Sequence, residues 1–238
     1  MTKSADLIAY LFDGQPHPLS GVLTTWLDAS PRYASFVETY RDKIRKKLRV
    51  TRDAEGQLDV LGELELPYHL LTDRRLEVVY EPYASLKRRG PDFAVTYRTN
   101  LTFNIELSRI HLEETGDEAA DLVRRQERIL RLLLDKLGQM QAGRANLLVI
   151  HARGQVDRLI NLSGLIQSLK ARVDGRDPKF FLNSQYDSPT AFYKDFLHLS
   201  GMIFWTTSNQ VWGNKQSKFG LPEKVLDLVR SLLLVKSD

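Results

Sequence analysis

The 238-residue sequence contains no cysteine, which excludes a disulfide-stabilised scaffold and any thiolate metal site. A chain without cysteine is also typical of a reducing compartment, so we expect a cytoplasmic protein. The N-terminal stretch MTKSADLIAYLFDGQPHP is interrupted by Asp13, Gly14 and two prolines before any long apolar run develops. We therefore expect neither a secretory signal nor a membrane span, and no membrane among the partners.

Several short motifs that mark common chemistries are also missing. The five histidines, at positions 17, 69, 111, 151 and 198, lack the paired spacing that is typical of a zinc site. Gly213-Asn214-Lys215 has no preceding glycine-rich turn, and no serine lies in a G-x-S-x-G motif, so neither a P-loop nor a nucleophile elbow is indicated. The composition, 42% hydrophobic and 27% charged, is that of an ordinary globular protein with a substantial core.

Basic residues are concentrated in two short stretches. The segment RDKIRKKLRVTR, at 41–52, holds seven basic residues and one acid, and Lys87-Arg88-Arg89 forms a second block. Such clusters can follow a phosphate backbone, so nucleic acid is the expected macromolecular partner, although a solvated helix face gives the same pattern. The predicted contact residues are Lys43, Arg45, Lys46, Lys47, Arg49, Lys87, Arg88 and Arg89.

The first fifty residues have the apolar periodicity of helices. Ser30 followed by Pro31 is a good helix start, with a capping residue and then proline at the first helical position. Residues 58–71 fit either a strand or a helix, and Pro67 would disturb both. We favour a helix there, because the segments that follow already supply the strands of a core.

The rest of the chain alternates strands with helices. The predicted strands lie at 75–81, 91–97, 102–110, 146–152 and 200–205. The predicted helices lie at 117–140, at 156–171 and from Pro222 to about Leu234. Thr99-Asn100 suits a tight turn between the second and third strands. This order predicts an α/β domain with a mixed central sheet flanked by helices.

Two acidic residues lie on the strands that this turn would join. Asp92 opens the strand at 91–97, and Glu106 lies within the strand at 102–110. A hairpin can bring such positions side by side, and two carboxylates with a backbone carbonyl form a hard oxygen site suited to Mg²⁺ or Mn²⁺. A pair of acidic residues on neighbouring strands is common in proteins without a metal site, so the sequence around the pair is needed to interpret it.

The run EPYASLKRRGPDFAVTYRTNLTFNIELSR resembles the core of the PD-(D/E)XK nuclease superfamily. In that family a Pro-Asp pair begins one strand, and Glu or Asp, any residue and then Lys lie in the next. Here Pro91-Asp92 matches the first element, and Glu106-Leu107-Ser108 takes the place of the second. The order of elements from about 57 to 152 also matches. The resemblance implies a restriction-endonuclease-like domain at 57–238, after a helical N-terminal segment with the basic helix at 1–56.

For individual residues, the resemblance implies that Asp92 and Glu106 bind Mg²⁺ (or Mn²⁺) together with the carbonyl of Leu107. It also implies an assisting acid on the preceding helix. Glu65 is the candidate, since it lies nearer the apolar side of that helix than Glu63 does. Some members of the superfamily direct a glutamine of the long helix toward the site, which would be Gln126 here; an amide bonded to a backbone carbonyl is the alternative.

Ser108 departs from the family pattern, because it stands where the family has lysine. Serine can donate a hydrogen bond but brings no positive charge to the developing charge on phosphate. Arg109 is adjacent, yet neighbouring strand residues point to opposite faces. Lys87, Arg88 and Arg124 remain as sources of a positive charge. The departure places Ser108 among the candidate catalytic residues and puts catalysis, more than the fold, in question.

The resulting hypothesis is a divalent-metal-dependent nuclease that hydrolyses phosphodiester bonds, with DNA as the leading substrate. The alternative is a catalytically degenerate nuclease-like domain that acts as a nucleic-acid-binding or assembly module. A third possibility is an α/β protein with no nucleic-acid role. The sequence leaves open a homodimer and a component of a larger nucleoprotein complex.

Overall fold

The structure is a computed structural model that describes residues 3–84, 90–110, 116–152, 160–206 and 209–234. Its internal contacts divide the chain into two compact units, Met1–Tyr80 and Glu81–Asp238. Among the described residues, none of the helices combines the length and the hydropathy that a membrane span requires.

The first unit is built from helices, followed by a strand. It contains α1 (Lys3–Leu11), α2 (Ser20–Ala29), α3 (Pro31–Val50), α4 (Ala54–Leu70) and β1 (Leu76–Tyr80). The predicted start of α3 is confirmed, since the Ser30 side chain accepts a hydrogen bond from the Tyr33 amide and Pro31 begins the helix. One side of α3 is buried through Ile44 and Leu48, which leaves its basic residues on the other sides.

The ambiguous segment 58–71 is helical, as predicted, and belongs to the first unit. Pro67 lies in the last turn of α4, which ends at Leu70, so its missing N–H removes one backbone hydrogen bond near the end of the helix. The guanidinium of Arg32 donates to the carbonyls of Leu71 and Leu76, both at 2.6 Å, and so ties α3 to the chain that follows α4. The unit therefore extends to Tyr80, whereas the sequence predicted a division after residue 56.

The second unit is an α/β unit with a mixed, open sheet. Its strands are β2 (Phe93–Tyr97), β3 (Leu101–Arg109), β4 (Ala145–His151), β5 (Leu199–Trp205) and β6 (Gln210–Gly213). Its helices are α5 (Glu118–Leu137), α6 (Leu162–Asp174), α7 (Pro178–Leu182), α8 (Pro189–Phe196) and α9 (Glu223–Leu232). The strands follow chain order in the sheet. Among these five strands the β2–β3 and β5–β6 pairs are antiparallel, whereas β3–β4 and β4–β5 are parallel.

The strands predicted at 91–97, 102–110, 146–152 and 200–205 correspond to β2, β3, β4 and β5. The turn between β2 and β3 lies one residue earlier than Thr99-Asn100, because Arg98 and Thr99 adopt the left-handed conformation, with φ of 50° and 66°. The start of the helix predicted at 156–171 falls on residues 153–159, which lie outside the described residues, and α6 begins at Leu162. The sequence did not predict β6, α7 or α8.

Alternation along β3 decides which side chains face the helices. Leu148 and Ile150 of β4 pack with Ile129 and Leu133 of α5 in one apolar cluster. Glu106 pairs with Leu148 in the parallel ladder, and Ser108 pairs with Ile150. Because paired residues project to the same face of a sheet, Glu106 and Ser108 lie on the face that α5 covers.

The opposite face of the sheet is covered by α9. A side chain at Gly201 of β5 would meet the Leu226 side chain of α9 at 3.2 Å, so the glycine allows this helix to approach. Arg109 alternates with Ser108 and therefore points away from α5, as the sequence predicted.

Candidate metal centre

Asp92 directly precedes β2, and Glu106 directly follows the last residue of β3 that pairs with β2. The antiparallel ladder pairs Phe93 with Ile105, and one further step places Asp92 opposite Glu106. The Asp92 Oδ2 atom also accepts a hydrogen bond of 2.8 Å from the amide of Leu107. The Asp92 carboxylate is thus held against the segment of β3 that contains Glu106.

The carbonyl of Leu107 is directed to the same edge. In an antiparallel pair, the N–H and C=O of one residue point to the same side of the strand. The Leu107 amide points toward Asp92, since it donates to that carboxylate. Asp92, Glu106 and the Leu107 carbonyl are the ligands that the resemblance names, and such oxygen ligands suit Mg²⁺ or Mn²⁺.

Glu106 is paired with a cation that the sequence reasoning missed. Only 5% of Glu106 is exposed, and its Oε1 atom lies 2.5 Å from the Nζ atom of Lys136, in the last turn of α5. A buried carboxylate needs such a partner, because leaving it unpaired would be costly. The signal was present in the sequence: Lys136 is three residues beyond Leu133 and seven beyond Ile129, so it shares their stripe on the helix.

Ser108 follows Glu106 on the same face of β3. Its Oγ atom is buried and has no hydrogen-bond partner among the described residues. Buried hydroxyl groups are normally bonded, so an unbonded one on the same face of β3 as Glu106 is a place for a water or a substrate oxygen. We refer to Asp92, Glu106, the Leu107 carbonyl, Ser108 and Lys136 together as the candidate centre.

We expect Ser108→Ala to change the free energy of unfolding by less than about 1 kcal/mol, because the hydroxyl has no hydrogen bond to any described residue that could be lost. Urea unfolding of the variant and the wild type measures this difference. A loss well above that value would show that Ser108 Oγ is a structural group. Unchanged stability with reduced cleavage would instead assign the hydroxyl to the chemistry.

Gln126 is less central than the sequence predicted. It is half-buried and makes no hydrogen bond within the described part of the chain, whereas its neighbour Arg125 is buried, with 6% exposed. The buried stripe of α5 runs at intervals of four residues through Asp121, Arg125 and Ile129, and this places Gln126 on the flank. Arg124, a predicted source of positive charge, instead forms an ion pair of 2.5 Å with Asp121.

Glu65, the predicted assisting acid, lies in the first unit on α4. Its carboxylate is 3.7 Å from the Nε2 atom of His69, one helical turn later. Burial raises the pKa of the Tyr33 hydroxyl, and the charge of Glu65 adds to that effect. Its neighbour Glu63 accepts hydrogen bonds from Lys47 and from the hydroxyl of Tyr80. The described contacts of both acids therefore belong to the packing of the first unit.

Most cations of the predicted basic helix have partners within the first unit. Arg45 and Arg49 pair with Asp13, and Lys47 pairs with Glu63. The ammonium of Lys43 lies 5.8 Å from the centre of the Tyr40 ring, and Lys46 is exposed. The second basic block, Lys87, Arg88 and Arg89, lies outside the described residues.

The described residues contain no group of three or more histidine, aspartate or glutamate side chains that could hold a metal ion. A metal ion in the candidate centre would thus be bound by two carboxylates, a carbonyl and water, which is a common arrangement for Mg²⁺.

Comparison of the chain with protein-family models, with curated proteins and with solved structures found no match.

Proposed function

We propose that the second unit is a divalent-metal-dependent nuclease with a PD-(D/E)XK-like core, which hydrolyses phosphodiester bonds with DNA as the leading substrate. One observation carries the proposal: the Leu107 amide donates to the Asp92 carboxylate, which holds this group against the part of β3 that contains Glu106. The resemblance assigns the metal to these two carboxylates and the Leu107 carbonyl, which are hard oxygen ligands.

The sheet topology also supports the proposal. An antiparallel hairpin, β2–β3, is followed by α5 and then by β4, which is parallel to β3. This is the order of elements expected of a PD-(D/E)XK-like core.

The candidate centre also offers a positive charge where the family pattern lacks one. A bound divalent ion would polarise the phosphodiester and lower the pKa of a coordinated water. Asp92 and Glu106 would hold that ion, and Lys136 would supply the charge that Ser108 cannot. Ser108 Oγ would donate to or accept from the attacking water.

The alternative is a nuclease-like unit without catalysis that binds nucleic acid or assembles with other proteins. Two observations favour it. Serine occupies the position of the family lysine, and the ammonium of Lys136 already lies against Glu106, where it would compete with a metal ion. In a nuclease, a metal ion binds Glu106 and Lys136 adds its positive charge to the reaction. In the alternative function, Lys136 keeps the metal ion away from Glu106.

We expect the full chain to cleave labelled DNA in the presence of Mg²⁺ or Mn²⁺ and to lose this activity in EDTA, because a bound divalent ion would be needed to activate the attacking water. The measurement compares single- and double-stranded DNA and RNA under the three conditions. Salt-sensitive binding without cleavage would support the alternative function. If the chain neither binds nor cleaves nucleic acid, both proposed functions are contradicted.

A further inference from the structure

A carboxylate of the first unit lies between two arginines of the basic helix. Asp13 follows α1, and Arg49 donates to it through Nε at 2.7 Å and through Nη2 at 2.6 Å. Arg45 forms an ion pair with the same carboxylate. Two guanidinium groups that converge on one anion are the arrangement by which arginine binds phosphate.

The conformation of Asp13 is one that few residue types adopt. Its φ is 56°, in the left-handed region, and Gly14 follows with φ of 68°. Hydrogen bonds from Arg49 and Arg45 hold the pKa of the Asp13 carboxyl well below its ordinary value, so the group stays charged at neutral pH. Asp13 is nevertheless exposed, so a solute anion can reach the arginines from solvent.

A surface groove of about 320 Å³ adjoins the two arginines. The guanidinium of Arg45 lies 4.4 Å from the centre of the Tyr10 ring, which forms part of the groove and fixes the arginine in place. Lys46 also lines the groove, is exposed and makes no ion pair within the described residues. Asp42, which accepts a hydrogen bond from the Tyr10 hydroxyl, lines the groove as well. The groove thus contains one carboxylate, the exposed ammonium of Lys46 and two guanidinium groups that are paired with Asp13.

We propose that Arg45 and Arg49 form a binding site for a phosphodiester of nucleic acid, and that Asp13 occupies this site as an internal competitor which the phosphate displaces. The proposal rests on the proposed nucleic-acid partner and adds the regulation of its binding. In the free protein the two guanidinium groups are partly neutralised by one carboxylate. In the complex they face the phosphate, while Asp13 turns to solvent.

The proposal predicts that removing the Asp13 carboxylate tightens binding. We expect Asp13→Asn to lower the dissociation constant for labelled DNA by about three- to tenfold, since the site no longer has to be vacated. The slope of log K against log salt should stay close to that of the wild type, because the two arginines face the phosphate in both complexes. Asparagine tolerates the left-handed conformation, and Asp13→Gly, which suits it fully, should give the same gain.

The matched control is Asp6→Asn, which makes the same charge change at an exposed position of α1 in the same unit. We expect it to change the dissociation constant by less than about twofold, because only the overall field is altered. Fluorescence anisotropy across a salt series measures the dissociation constants of the wild type, the two Asp13 variants, Asp6→Asn and the double variant Asp13→Asn/Arg49→Gln. Adding Arg49→Gln to Asp13→Asn should abolish the gain.

Equal effects of Asp13→Asn and Asp6→Asn would overturn the inference, as would weaker binding by both Asp13 variants or no binding by any protein. Inorganic phosphate that binds Asp13→Asn more tightly than the wild type, where DNA binds the two alike, would assign the site to free phosphate and overturn its assignment to nucleic acid. Metal-dependent cleavage is measured separately. If the wild type cleaves DNA but the Asp13 and Asp6 variants bind alike, the inference fails and the proposed nuclease stands.

Discussion

Asp92→Asn is expected to reduce metal-dependent cleavage by at least about a hundredfold, which corresponds to roughly 2.7 kcal/mol of transition-state stabilisation. The amide cannot replace an anionic ligand, so the metal ion is held weakly and its bound water is less acidic. Asparagine keeps the shape of aspartate and an oxygen that can accept from the Leu107 amide. The fold should therefore survive, and the loss should be one of metal binding and chemistry.

Asp135→Asn provides the matched control for this variant. Asp135 lies on α5 in the same unit, and it is exposed. The same chemical change there should leave cleavage within about twofold of the wild type, as a surface substitution normally does. Calorimetric titration with Mn²⁺ should show weaker binding for Asp92→Asn alone. Cleavage that persists in Asp92→Asn would remove Asp92 from the centre and with it the proposed metal site.

The elements that sequence reasoning found are those with strong local signals. Ser30 and Pro31 fix the start of α3 by capping chemistry that involves only neighbouring residues. The alternation of Phe103, Ile105 and Leu107 identifies β3 within nine residues. By contrast, β6 has only four residues, Gln210–Gly213, and none of them is buried, so no apolar pattern marks it. Its strand conformation depends on pairing with β5, which is a long-range interaction.

The extent of the first unit could not be predicted for the same reason. α4 and β1 belong with α3 because Arg32 donates to carbonyls about forty residues later in the sequence. The ring of Tyr80 also packs at 5.9 Å from that of Tyr40. Neither contact has a signature in composition or periodicity, and the predicted division after residue 56 came from the point where the resemblance to the PD-(D/E)XK core begins.

The residues of the candidate centre also differ in whether a local sequence signal could predict them. Asp92 and Glu106 were predicted as a pair because the hairpin that joins them is short, and its register follows from a local turn. Lys136 is thirty residues from Glu106, and finding it requires the position of α5 on the sheet. Asp13 is likewise thirty-two residues from Arg45. The sequence therefore predicted a basic helix but not the carboxylate that pairs with its arginines.

The role of Lys136 distinguishes the two proposed functions, and the variant Lys136→Met tests that role. In the absence of metal, the variant leaves the buried carboxylate of Glu106 without the cation it now contacts. We expect the free energy of unfolding to fall by about 2 kcal/mol, less than for a fully buried pair, because a quarter of the Lys136 side chain is exposed. Urea unfolding in EDTA measures the loss.

Divalent metal should reverse part of this loss. A Mg²⁺ or Mn²⁺ ion at Asp92 and Glu106 supplies the missing positive charge, so added metal should stabilise Lys136→Met more than the wild type, by the usual linkage of binding to folding. A second change, Glu106→Gln, removes the buried charge itself. In the double variant Lys136→Met/Glu106→Gln, the loss in EDTA should be smaller than the sum of the two single losses by about 1–2 kcal/mol, which is the coupling of a contacting pair.

Cleavage at saturating metal then separates a structural lysine from one that serves the reaction. If Lys136 supplies the charge that Ser108 lacks, Lys136→Met should cleave about a hundredfold more slowly even where metal has restored its stability. Lys136→Arg keeps the charge and should retain part of the activity, although its fork is shaped differently from an ammonium. Full cleavage by Lys136→Met would make the ion pair a structural substitute for the metal, and the chemistry would then need no lysine at this centre.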